Sequence, residues 1–136
     1  MAKLTAIEGI GVSAERRLKA AGVVNTQGLL DICGSTRGRK GVAGAARMAE
    51  AKLLRFVRHA DLMRIKGVGG DYAELLEVSG VDSIPDLKGR NAVSLRSRLA
   101  TTNTTKRKRL VRQLPSEKMV AGWINQAKRL KPKITR

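Results

Sequence analysis

The chain has 136 residues, and its 28 Lys and Arg outweigh 11 Asp and Glu to leave a charge of +17 at neutral pH. Hydrophobic residues make up 42%, enough for a packed core. Aromatic residues make up only 2%, namely Phe56, Tyr72 and Trp123, which excludes a module that grips bases on several exposed rings.

The single cysteine, Cys33, and the single histidine, His59, exclude an internal disulfide, a cysteine-based zinc site and a histidine cluster. No run approaches the roughly 18 apolar residues of a membrane helix, and no signal peptide is visible, so an intracellular, soluble protein is expected. Charge on this scale is best tolerated when a polyanion is the partner, which puts nucleic acid first; no membrane partner is expected.

In chain order, Ser13 to Ala21 reads as a short helix closed by Gly22, the residue suited to a left-handed C-terminal cap. Asn25-Thr26 caps a short helix after it. Arg37-Gly-Arg39-Lys40-Gly reads as a basic loop. Leu53, Val57 and Ala60 share a stripe at helical spacing. Asp71 to Ser79, closed by Gly80, reads as the first helix does, and Asp82-Ser83 caps the next. Asn91 caps a helix to about Ala100, Thr101 to Thr105 reads as a polar break, and Lys106 to Leu114 as a helix ending at Pro115. Val120, Trp123, Ile124 and Ala127 form another helical stripe. The tail Lys131 to Arg136 is expected to be mobile. No alternating run predicts a strand, so the expected fold class is all-α.

The chain repeats itself. Ile7 onward, IEGIGVSAERRLKAAGVVNTQGLL, aligns without gaps on Ile65 onward, IKGVGGDYAELLEVSGVDSIPDLK, 58 residues later. Gly9 falls on Gly67, Gly11 on Gly69, Leu18 on Leu76, Gly22 on Gly80, Val23 on Val81 and Leu29 on Leu87. Further on, Glu50 falls on Glu117, Phe56 on Trp123, Val57 on Ile124 and Ala60 on Ala127, now 67 residues apart. The second copy thus carries nine more residues, placed around Thr101 to Arg109. The expected units are 1–60, 61–130 with the basic insertion, and a basic tail 131–136, the first two packed together as one helical domain.

Each copy opens with an apolar-x-Gly-apolar-Gly turn followed by a helix: Ile7-Glu-Gly9-Ile10-Gly11 and Ile65-Lys66-Gly67-Val68-Gly69. Glycine permits positive φ and lets main-chain N–H groups come close to an anion. The next helix begins at the same spot, so its unpaired amides and dipole add to the site. Ile10 or Val68 anchors the turn. The product is a phosphate cradle that reads backbone and not base; the competing reading is a plain helix connector. The turns resemble the helix-hairpin-helix motif, and the two-copy arrangement resembles paired helix-hairpin-helix domains of a bacterial family of unknown function, over nearly the whole chain. That resemblance implies contact with the DNA backbone, in some members with a monovalent cation in the turn; no other cofactor or metal is expected.

The copies differ in charge. Ser13, Arg16, Arg17 and Lys19 follow the first turn with Glu15 the one acid, whereas Asp71, Glu74 and Glu77 follow the second, leaving Lys66 as its supporting charge. The first turn is therefore the better phosphate site. Residues 1–60 carry +7, residues 61–90 carry −2, and residues 91–136 carry +12. Arg37, Arg39 and Lys40 form one basic cluster, and Lys106, Arg107, Lys108 and Arg109 with Arg112 form the densest. Phe56 and Trp123 read as core, Tyr72 as cover for the second turn, Cys33 as a small semi-buried residue, and His59 as a surface or capping group. No nucleophile-base pair is present.

These readings lead to an expected non-enzymatic, sequence-tolerant DNA-binding protein, nucleoid-associated or repair-accessory, that favours duplex DNA over RNA. A structured-RNA or ribosome-associated protein is the second expectation, and a protein-interaction module with an acidic partner the third. Oligomeric state is left open.

Overall fold

The computed structural model describes residues 2–105 and 110–135. Among these the fold is all-helical. A 3₁₀ turn, Leu4–Ala6, precedes α1 (Val12–Ala20), α2 (Thr26–Cys33), α3 (Thr36–Ala46), α4 (Glu50–Leu62), α5 (Gly70–Val78), α6 (Ile84–Lys88), α7 (Ala92–Thr105) and α8 (Glu117–Arg129). The extended pairing among the described residues is an isolated bridge between Lys3 and Asn25.

The chain divides into two compact units, one of Met1–Asp61 with Pro132–Arg136 and one of Leu62–Lys131. In the first, α1 and α2 both pack on α3. Its core includes Leu4, Ile7, Leu18, Leu29, Leu53, Phe56 and Val57, all essentially without solvent contact. In the second, α8 packs on α6 and α7, and α5 on α7. Its core is built on Leu62, Ile65, Leu75, Leu76, Leu87, Leu99, Val120 and Trp123.

Local chemistry explains the helix ends. Asn25, Ser35, Ser83, Asn91 and Ser116 each accept a hydrogen bond from an N–H in the first turn of the helix they precede, which satisfies a donor the helix cannot. At the end of α1, Gly22 takes φ +94°, its N–H bonds Lys19 O at 3.0 Å, and the Val23 N–H bonds Leu18 O at 2.9 Å. At the end of α5, Gly80 takes φ +99°, with Gly80 N–H to Glu77 O at 3.0 Å and Val81 N–H to Leu76 O at 2.8 Å. These are Schellman closures, and glycine provides the left-handed residue at low cost.

Three expectations about local structure are corrected. Arg37 to Gly41 is not a loop but part of α3. Three glycines weaken that helix by roughly 1 kcal/mol each relative to alanine, yet the Ser35 cap starts it, and at Gly38 a Cβ would overlap Ile32 O, so glycine is what the packing there accepts. Thr101 to Thr105 does not break α7. Thr101 and Thr104 turn their hydroxyls back to Ser97 O and Ala100 O, four residues earlier, inside a continuous helix. The residues from Leu110 to Leu114 are not helical. Buried Asn103 accepts from the Leu110 and Val111 amides at 2.8 and 3.1 Å and donates to Val111 O at 3.1 Å, which takes the main-chain groups a helix would use.

The C-terminal segment, expected as a mobile tail, meets the first unit. The Thr135 N–H donates to Gly34 O at 2.8 Å, and Pro132–Arg136 group with the first unit.

Candidate nucleic-acid interface

The first glycine turn is held from below and open from above. Ile7 and Ile10 are buried, and the Ile10 N–H closes the turn onto Ile7 O at 3.1 Å. Gly9 takes φ +97°. A Cβ there would lie 3.1 Å from Arg55 Nη1 and 3.2 Å from Phe56 Cε1, so packing as well as backbone selects glycine. Gly11 differs. Its backbone is extended, and a Cβ would meet nothing within 4 Å. A side chain at Gly11 would therefore meet no other described residue.

Helix α1 makes its first main-chain bond from Glu15 N–H to Gly11 O, at 2.9 Å. The amides of Val12, Ser13 and Ala14 precede that bond and face out of the helix start. No side chain caps this end, whereas Asn25, Ser35, Ser83 and Ser116 cap theirs. Gly9, Gly11, Val12 and Ser13 are all exposed.

The second turn has the same backbone. Val68 N–H bonds Ile65 O at 3.0 Å, Gly67 takes φ +98°, and Gly69 is extended before α5. A Cβ on Gly67 would lie 3.2 Å from Trp123 Nε1. Its surroundings are less suited to an anion. Asp71 stands in the first turn of α5. The Gln126 side chain grips Lys66 on both sides, accepting from its N–H at 2.9 Å and donating to its carbonyl at 3.2 Å. Tyr72 packs its ring 5.3 Å from that of Trp123 and donates its hydroxyl to Gln113 O at 2.9 Å.

The basic residues singled out in the sequence have separate fates. Arg16 is exposed on α1 one turn from Lys19, whose ammonium lies 3.7 Å from the Glu15 carboxylate. Arg17 donates from Nη1 to Ala46 O at 3.2 Å and Arg47 O at 2.9 Å, so it caps the C-terminus of α3. Arg39 is not the exposed cation expected. It is 6% exposed and donates to Cys33 O, Gly34 O, Thr36 Oγ1 and Thr135 O, so it is a structural cation inside the first unit. Arg37 and Lys40 are exposed and share one face of α3, and Arg112 is exposed. Lys106, Arg107, Lys108 and Arg109 lie outside the described residues.

Arg55 is the residue sequence reasoning missed. Its Nη1 reaches Glu8 O at 3.4 Å and lies over the position a Gly9 side chain would take. Its place immediately before Phe56 was the available signal, because Phe56 aligns with Trp123 and both rings lie under turn glycines.

Among the described residues, no three His, Cys, Asp or Glu side chains come together as metal ligands. His59, expected at the surface, is instead fully buried on α4. Cys33 is fully buried too, and burial pushes its thiol up to about 11 although the Arg39 charge pulls the other way. A thiol held protonated in this way is a poor nucleophile. Phe56 and Trp123 are buried core residues. No helix among the described residues is long and apolar enough to cross a membrane.

Comparison with curated proteins and with solved structures gives no match. A family model does match, over residues 8–130, which takes in the glycines of both turns and α1 to α8. The chain belongs to the family described as "Domain of unknown function (DUF4332)".

Proposed function

We propose that this protein is a non-enzymatic, sequence-tolerant DNA-binding protein, of nucleoid-associated or repair-accessory type, that grips duplex DNA by its phosphates at the first glycine turn in the manner of a helix-hairpin-helix unit. The observation that carries the reading is the uncapped, exposed start of α1, where three amides precede the first helical bond behind two exposed glycines. Arg16, Arg37 and Lys40 add charge from the surface of the same unit, and the Lys106 to Arg109 cluster with Arg112 extends the grip. The second turn serves as structure, since Asp71 repels phosphate there and Gln126 occupies the Lys66 main chain.

Burial of Phe56 and Trp123, with Tyr72 engaged by Gln113, favours a duplex over a single strand, because no ring is left to stack on unpaired bases. A second reading has its own support: Val12, beside the turn, is 70% exposed, as an apolar protein-contact residue would be.

The test is a shift assay of the full chain with duplex DNA, single-stranded DNA and duplex RNA across a salt series. Duplex DNA is expected to bind most tightly, with log affinity falling by roughly 0.9 per phosphate contact for each tenfold rise in salt. Preference for duplex RNA would move the proposal to the ribosome, and binding insensitive to salt would end it. Gly11→Val, with helicity retained, is expected to weaken binding. If it binds as the parent does while neutralising Lys106 to Arg109 abolishes binding, the turn is scaffold only.

A further inference from the structure

The first unit is closed by residues from the far end of the chain. Thr135 donates its N–H to Gly34 O at 2.8 Å, its hydroxyl approaches the same oxygen at 3.5 Å, and its carbonyl accepts from Arg39 Nη2. Arg39 also donates to Cys33 O at 3.1 Å, Gly34 O at 2.8 Å and Thr36 Oγ1 at 3.2 Å, which accounts for its stability as a buried cation. Gly34 has helical dihedral angles that any residue adopts. Its lack of a side chain is explained by crowding: a Cβ there would overlap the Lys133 carbonyl and press on Leu30 O. Each of these approaches uses the segment's main chain or the Thr135 hydroxyl, while Lys131, Pro132, Lys133 and Thr135 remain exposed.

We propose that the α2–α3 corner, Gly34 with Arg39, is a peptide-docking groove whose ligand is this chain's own C-terminal segment, Pro132–Thr135, held as a detachable clasp. The groove takes a peptide main chain, with Arg39 reading a carbonyl and Gly34 O reading an N–H. A segment docked by so few bonds opens without unfolding the rest of the unit. With the segment away, Arg39 loses the Thr135 carbonyl and Gly34 O loses the Thr135 N–H, so residues 132–135 complete the hydrogen bonding of this corner.

Hydrogen exchange of the full-length protein tests this. In the wild-type chain the Thr135 amide is expected to exchange at least about tenfold more slowly than an unstructured amide; exchange at the unstructured rate would overturn the proposal without any variant. In full-length Thr135→Pro, which lacks the donor to Gly34 O, amides from Cys33 to Arg39 are expected to exchange at least about tenfold faster. A synthetic peptide of residues 131–136 at several millimolar, to match a tethered segment's effective concentration of order millimolar, is expected to restore protection. Unchanged exchange in the variant, or faster exchange that the peptide fails to reverse, would overturn the groove.

Discussion

Gly9 rests against the ring of Phe56, so close that a side chain at position 9 would lie 3.2 Å from its Cε1 atom. With φ at +97°, the position is set by two independent demands, a left-handed backbone and a ring beneath it. Gly11, two residues on, meets neither demand. The two glycines of one turn are therefore expected to respond differently to substitution. Gly9→Ala should cost about 1–2 kcal/mol from the backbone alone, read as a lower urea midpoint at constant slope.

Gly11→Asp should do the reverse. A carboxylate at this N-cap satisfies the start of α1 and complements its dipole, so stability is expected to hold or rise by a few tenths of a kcal/mol. The same carboxylate occupies the amides and repels phosphate, so duplex DNA affinity is expected to fall at least about tenfold. Urea titration and a shift assay on the same preparation check both halves.

Arg39 and its neighbours on α3 separate structure from binding. Arg39→Ala takes the guanidinium donor from Cys33 O and Thr135 O, while Gly34 O keeps the Thr135 N–H, and should destabilise the fold by about 2–3 kcal/mol. Arg37→Ala and Lys40→Ala remove exposed charges and should leave the urea midpoint within about 0.5 kcal/mol. Each is expected to reduce the salt slope of DNA binding by about 0.9 if its charge meets a phosphate.

Arg47 ends α3 in the left-handed region, with φ 53° and ψ 53°. Its carbonyl and not its side chain is what Arg17 uses. Arg47→Gly is therefore expected to raise stability by about 1 kcal/mol, since the strain of a side chain there is removed and the Arg17 bond is kept. Thermal melting checks it.

Cys33 sets a pH dependence. Its thiol is raised from 9.0 to about 11 by burial, so the folded state holds the proton that the unfolded state releases first. Its contribution is full below pH 9 and is lost as pH rises from 9 towards 11. Comparing urea midpoints of wild type and Cys33→Ala from pH 8 to 11 isolates the effect. The wild-type midpoint is expected to fall faster over that window, and parallel curves would contradict the assignment.

What could be read from the sequence was local. Gly22 and Gly80 as helix stops, Asn25, Ser83 and Asn91 as caps, and the turn glycines are signals carried by the residue itself through φ or a short side chain. Helix α3 was hidden because its composition resembles a loop, and what makes it a helix includes an overlap with Ile32 O that only the folded chain presents. The fates of Arg17 and Arg39 were hidden for a similar reason. Their acceptors lie up to 30 and 96 residues away, and one guanidinium looks like another until those carbonyls arrive. Asn103 reads as part of a polar break, yet its amide fixes Leu110 and Val111 from inside a helix.

The central claim concerns amides, and amide resonances report on it most directly. Titration of the ¹⁵N-labelled full-length protein with a short DNA duplex is expected to shift Gly11, Val12, Ser13 and Ala14 the most, saturating together with the bulk binding curve. If those four resonances stay in place while the cations of α3 or the Lys106 cluster respond, DNA is held by charge alone and the glycine turn has no part in it.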